Sequence, residues 1–279
     1  MTWAVVARKD FADARRSRSL WVLSALFLLL AVLFASIYAF VPEVSADPEL
    51  DSVGLLGFLA SPVALFVAVA ALVVAYKSVA GETESGSGKL LLSLPNSRRD
   101  VLLGKVLGRT SVLALPVLVG LVAMLAVIFV GDVAFAPVDY VLFALVTLLF
   151  VAAYVALYVG ISASTTSTSR AATLSVLVLV VLEFVWDFVT ISVWFVLNGF
   201  RVPDGLFTAD LAAMPELVAF LSTLPPSTAY MNAVSGVLQN SLTGAGAWYL
   251  SNWFGLVVLV LWAIVPAAIG YRRYSRADL

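Results

Sequence analysis

The sequence predicts an all-α integral membrane protein with six transmembrane helices and both termini in the cytoplasm. Three observations carry that expectation. Hydrophobic residues make up 62% of the 279 and charged residues only 12%, against about 25% charged in soluble domains. Six segments are apolar over the ~20 residues that a helix rising ~1.5 Å per residue needs to cross a bilayer. Finally, a six-span arrangement places every Lys and Arg except Arg201 on one side, as the bias of cytoplasmic loops toward cations requires. An odd number of spans would scatter them.

The chain reads as one transmembrane domain, 1–279. Residues 1–19 read as an interfacial helix rather than a signal peptide, with Ala4, Ala7, Phe11 and Ala14 at helical spacing and Arg8, Lys9, Asp13, Arg15 and Arg16 mostly elsewhere. Trp3 and Trp21 suit the headgroup level. The spans are 20–41, 54–76, 112–130, 140–162, 172–197 and 253–271. A cytoplasmic loop, 77–111, separates the second span from the third. The short STTSTS run from Ser164 to Ser169 links the fourth to the fifth. The last outer loop, 198–252, is long enough for two short helices. One runs from Pro215 to Leu224 and is stopped by Pro225-Pro226. The other runs from Ser227 to Leu238, with Ser227 or Thr228 as its N-cap. Outer loops are acidic, with Glu43, Asp47, Glu49, Asp51, Asp132, Asp139, Asp204, Asp210 and Glu216.

Several chemistries are excluded. There is no cysteine and no histidine, so disulfides, thiolate metal sites, His-based triads and HExxH zinc helices are absent. A net charge of -1 gives no nucleic-acid signal. Gly86-Ser87-Gly88-Lys89 suggests a phosphate loop, but Thr83 stands where the motif needs its first glycine and Leu90 comes directly after the lysine. These glycines mark a bend instead.

The segment beyond the bend is more informative. Leu90, Leu91, Leu92, Ser93, Leu94 and Pro95, then Ser97, Arg98 and Arg99, form a leucine-rich segment outside the membrane. Leucines there need burial in lipid or in a partner's groove. Glu82, Glu84, Arg98 and Arg99 would set register. The pattern Glu82, Glu84, Ser85, Gly86, then Leu90 to Pro95, Ser97, Arg98, then Leu103, Gly104 and Lys105 resembles the loop between spans two and three of ABC-2 type permeases. Leu221 to Pro225 and Ala229-Tyr230 resemble the segment before that family's last span. The resemblance covers nearly the whole chain. It implies a membrane subunit of an ATP-driven exporter, paired with a second permease copy (homodimer or related heterodimer) and with separate ABC ATP-binding subunits. ATP and Mg would sit on those partners, with no cofactor, metal or catalytic residue on this chain. Glu82, Glu84, Gly86, Leu90, Leu91, Leu92, Leu94, Pro95 and Arg98 would then form the ATPase-coupling segment, and the chain would reside in the plasma membrane.

A second constellation lies in the fifth span. Glu183 and Asp187, four apart, would share one face of an α-helix, continued outward by Thr190, Trp194 and Asn198. Glu183 falls near the midplane. An intramembrane acid costs roughly 2.5 to 3.5 kcal/mol to insert and is a functional-site hypothesis by default. Glu183, Asp187 and Thr190 are the candidate translocation residues, the alternative being burial against Ser, Thr or backbone donors at a dimer interface. Gly104 and Gly108 form a GxxxG that permits close helix packing. Other functional readings are an ion-coupled secondary transporter using Glu183 and Asp187, an ABC permease dedicated to cofactor assembly, and an intramembrane enzyme. No internal repeat supports the first of these, and no nucleophile motif supports the last.

Overall fold

The computed structural model describes residues 3–15, 17–41, 51–86, 97–201, 214–238 and 247–276. Among them the chain is helical, with a lone bridge between Asp51 and Ala134 in place of any strand. The first helix, α1, is Trp3–Arg15, and α2 is Arg18–Phe40. α3, Ser52–Ala75, starts where the Asp51 carboxylate accepts the Gly54 N–H at 2.7 Å. A turn leads to α4, Ala80–Glu84. α5, Arg98–Val130, opens with a reciprocal cap: the Asp100 N–H donates to Ser97 Oγ, and the Asp100 carboxylate accepts from the Ser97 N–H. α6 is Pro137–Ala163, with proline in its first turn, where its missing N–H costs nothing. The fifth span is α7, Thr168–Val180, a π turn, Val181–Val185, and α8, Trp186–Leu197. Then come α9, Glu216–Ser222, α10, Pro226–Leu238, a short 3-10 turn, Trp248–Leu250, and α11, Asn252–Arg276.

Six helices are long and apolar enough to cross a membrane, as the sequence implies. The third reaches further than its apolar stretch. α5 has 33 residues, about 50 Å at 1.5 Å each, against a hydrocarbon core of ~30 Å. Its first part, including Lys105 and Arg109, therefore projects beyond the apolar stretch 112–130. With an even number of crossings, α1, the start of α5 and the end of α11 meet at one end of the bundle. There an Arg98 Nη donates to the Tyr274 carbonyl at 2.6 Å, and the guanidinium lies 5.7 Å from the Tyr274 ring centre. This is the basic end.

α6 is the central pillar. It is apolar on all sides, the mark of a helix surrounded by others, and Phe143, Phe150, Tyr154 and Tyr158 are fully enclosed. α3, α5, α10 and α11 pack around it. Small residues set the approach to α11: a Cβ at Gly160 would fall 2.4 Å from the Pro266 carbonyl oxygen, and one at Gly270 only 2.7 Å from Gly160 Cα. Without a hydrophobic force between helices in lipid, such backbone proximity is what holds a pair together.

Two placements go beyond the expectations. α1 buries Val6 and Asp10, while Ala4 is exposed and Ala7 and Phe11 are half-buried, which leaves part of the apolar stripe open to lipid. The reason is its seat on α5, where a Cβ at Gly104 would meet Val6 Cβ at 2.6 Å and one at Gly108 would meet Asp10 Cβ at 3.0 Å. The GxxxG of α5 is therefore the socket for α1. The second placement concerns α10, which starts at Pro226, so Ser227 stands inside the first turn rather than at the N-cap. α10 also packs into the bundle, burying Ala229, Tyr230, Ala233 and Val234 against α6, α3 and α11.

Candidate functional site

At the basic end, helices distant in sequence converge on the base of the 77–111 loop. The N–H groups of Val79 and Ala80, at the start of α4, donate to Ser162 Oγ at 3.1 and 3.0 Å. That hydroxyl, in the last turn of α6, satisfies donors a helix start leaves open. Two residues past the end of α4 stands Gly86, whose φ of 73° is the left-handed conformation glycine adopts without steric cost. Within α4, Glu82 accepts from Lys105 Nζ at 2.7 Å. Glu84 accepts from the N–H of Thr168 at 3.0 Å and, by a short bond, from its hydroxyl. Thr168 opens α7, so a carboxylate from one element caps the helix of another, and the N-terminal dipole favours that charge. The two Thr168 bonds hold the exposed Glu84 carboxyl below its usual range.

Lys105 is 3% exposed. Its ammonium also lies 3.7 Å from Asp10 of α1, and Asp10 meets Arg109 with Nε···Oδ2 2.7 Å and Nη2···Oδ1 2.9 Å. The Nη2 contact is a charge-assisted hydrogen bond, whereas the Nε contact is a close ion pair without hydrogen-bond alignment. Arg109 donates further to the Val74 carbonyl at 3.1 Å. Two acids, Asp10 and Glu82, thus face two bases, Lys105 and Arg109, and tie α1, the end of α3, α4 and α5 into one hub. Burial of unpaired charge would be prohibitive; here each charge has an opposite partner.

Of the predicted coupling residues, Glu82, Glu84, Gly86 and Arg98 all lie around this hub. Leu90, Leu91, Leu92, Leu94 and Pro95 lie outside the described residues. Asp10, Arg109, Ser162 and Thr168 complete the arrangement without having been singled out. Asp10 carried a faint signal, an acid inside a basic amphipathic helix, but its partner lies nearly a hundred residues away.

The second cluster is in the bilayer region. Glu183 sits in the π turn, and one carboxylate oxygen accepts from Ser227 Oγ at 2.6 Å and, by a short bond, from the Tyr154 hydroxyl. Ser227 and Tyr154 oxygens are 3.3 Å apart. Tyr158 stacks on Tyr154 with ring centres 5.8 Å apart, and its buried hydroxyl has no partner among the described residues. α6, the π turn and the first turn of α10 meet here. The fate of the stripe is instructive. A π turn holds an extra residue per turn, so the face shared at i and i+4 is lost. Glu183 is half-buried and hydrogen-bonded, Asp187 is exposed, and Thr190 is buried with its hydroxyl donating to the Asp187 carbonyl at 2.9 Å. Just after the π turn, Trp186 Nε1 donates to the Leu221 carbonyl at 2.9 Å and locks α8 to α9. Among the described residues, no group of three or more Asp and Glu side chains is placed to hold a metal.

The comparisons with known proteins agree with this architecture. The family described as ABC-2 family transporter protein matches residues 4–279. The probable ABC transporter permease protein NosY of Stutzerimonas stutzeri is 29% identical over 272 residues, covering 95% of this chain and 92% of that protein. The protein of the same name from Pseudomonas aeruginosa is 37% identical over 121 residues, 43% of this chain and 42% of its own length. A family match along almost the whole length, on a bundle with six candidate spans, places the chain in the ABC-2 family of transporter proteins.

Proposed function

We propose that this chain is the membrane-spanning half of an ATP-driven exporter, operated by a separate ATP-binding subunit that docks on the 77–111 loop. The observation that carries the reading is the hub of Asp10, Glu82, Lys105 and Arg109. It makes the base of that loop one rigid unit with α1 and α5. A push delivered by the leucine-rich segment Leu90 to Leu94 and Pro95 would then move several helices together rather than bending a tether. Arg98, held on Tyr274, extends the same unit to α11. ATP and Mg would bind the partner; this chain would supply no catalytic group. The basic end would face the cytoplasm of the plasma membrane, by the bias in cation placement.

The Glu84–Thr168 contact supports a route onward. Thr168 opens the fifth span and Glu183 lies fifteen residues further along it, about 22 Å at the helical rise. Movement of α4 would thus reach the Glu183, Asp187 and Thr190 region through a single helical rod. The exposed Asp187 on this span favours a second permease copy, identical or related, with the pathway beside it, because acyl chains are its costliest surroundings. Allosteric coupling of this kind requires that the ATPase state bias two arrangements of one element.

The test is a Leu91→Asp, Leu94→Asp variant co-expressed with the ATP-binding subunit. The expected result is loss of co-purification while the permease still inserts and elutes normally. Retention of the ATPase with normal turnover would refute the docking assignment. For the pathway, Glu183→Gln with Asp187→Asn should reduce transport-linked ATPase in lipid without loss of assembly; unchanged stimulation would remove these residues from it.

A further inference from the structure

A cavity of about 760 Å³ lies between the fifth span and α11, with α6 as its floor. Leu157 and Gly160 form the floor, Leu174 and Val178 one wall, and Leu261 and Val265 the other. Its polar members cluster at one end: Ser164 and Arg273 lie at the basic end, whereas Phe220 and Trp248 close the far end. The groove exists because of the Gly160–Gly270 contact, which draws α6 and α11 together and leaves the fifth span standing off. Trp262, pinned by its Nε1 donating to the Leu224 carbonyl at 2.8 Å, keeps the far half open.

We propose that this groove is a specific site for one anionic phospholipid, its phosphate on Arg273 and its acyl chain along Val178, Leu261 and Val265. Charge complementarity selects the headgroup. A lipid has one anionic end and a long apolar remainder, and the groove has one cation at one end and apolar walls beyond it. From Arg273 to Val258, both lining residues, α11 rises about 22 Å. That exceeds the ~15 Å of a single leaflet, half of a ~30 Å core, so an extended chain is held past the midplane rather than merely touching the surface. A helix of a second copy is the rival occupant, and it would bring no anionic phosphate to Arg273 at the groove's end. The surface available to a second copy is the other side of α7, where Thr173, Val176 and Val180 are exposed. Such a lipid wedges the fifth span away from α11 and thereby sets the position of the helix that carries Glu183.

The full-length chain, stripped of lipid in detergent, is titrated with phosphatidylglycerol, with phosphatidylcholine and with diacylglycerol, and bound lipid is counted by native mass spectrometry. One tightly held phosphatidylglycerol per chain is expected, with diacylglycerol bound weakly. Arg273→Ala should weaken phosphatidylglycerol about fivefold, the effect of one interfacial cation, while Arg272→Ala, outside the groove, leaves it unchanged. Leu261→Trp, at the exposed rim, should abolish the adduct without disturbing the core. Equal binding by wild type, Arg273→Ala and Leu261→Trp would overturn the proposal. So would efficient copy-to-copy disulfide formation by a Leu261→Cys chain in lipid, which is clean because the sequence has no cysteine; that result would seat a second copy in the groove.

Discussion

Replacing Asp10 by alanine removes the acid shared by buried Lys105 and half-buried Arg109. The cost is set by what each base retains. Lys105, 3% exposed, keeps Glu82 at 2.7 Å. Arg109, 21% exposed, loses both contacts to Asp10 and keeps only the Val74 carbonyl. Breaking a buried ion pair from one side costs 3–5 kcal/mol because it strands a desolvated charge. Arg109 can recruit some water, so the low end, about 3 kcal/mol, applies. At roughly 2–4 °C per kcal/mol for a chain of this size, the melting temperature should fall by roughly 6–12 °C. The assay is thermal unfolding in detergent monitored by tryptophan fluorescence, repeated at high salt. A buried pair is only weakly screened, so the difference between variant and parent should persist. Adding Arg109→Met should recover part of the loss, because the double variant no longer strands a cation. A fall of less than ~2 °C, or additive losses in the double variant, would refute the claim that α1 is locked to α5 by this pair.

Three further outcomes are expected. Gly160→Val drives a side chain into the Pro266 backbone, already 2.4 Å from a Cβ; overpacking of this kind costs about 1–3 kcal/mol, read as a lower melting temperature that Val159→Ala does not reproduce in kind. Ser227→Ala leaves Glu183 with Tyr154 as its remaining donor and should cost about 0.5–1.5 kcal/mol, the range for a typical hydrogen bond; Ser227→Thr, which keeps the hydroxyl, should restore stability. Gly86→Ala forces a Cβ into left-handed backbone at φ 73° for about 1–2 kcal/mol, and a melting temperature lowered by roughly 2–8 °C is the expected readout.

Features that depend on neighbours along the chain were legible in the sequence. Apolar run lengths and cation placement mark six spans, and six helices of sufficient length and apolarity are found. The Gly86 bend is equally local. The hub was not legible, because its members are joined by tertiary contact alone: Asp10 and Arg109 are 99 positions apart. A basic stretch from Arg98 to Arg109 reads as a loop when judged by polarity, yet it is helix, since lysine and arginine are good helix formers and partners far away neutralise them. Ser227 reads as a cap because serine after a proline pair suits that role; its hydroxyl instead serves a carboxylate 44 residues distant. The π turn at Val181–Val185 leaves no trace in hydrophobic period when almost every residue around it is apolar.

That π turn decides how the two intramembrane acids should be regarded. On an unbroken α-helix they would share one face and one set of neighbours. Here Glu183 is drawn toward α6 and α10, where two hydroxyls stand in for water, and Asp187 is left on the outer face of the fifth span. Exposed Phe188, Val189 and Ile191 beside it say nothing by themselves, since lipid accepts apolar side chains as readily as protein does. Asp187 does discriminate. At roughly 2.5 to 3.5 kcal/mol for an acid near the centre of a span, acyl chains are its costliest surroundings, and water or the polar groups of a second copy are its cheapest. The face of α8 that carries Asp187 is therefore the face that lipid should not cover, and the groove ending at Arg273, which holds no acid, is the one that it should.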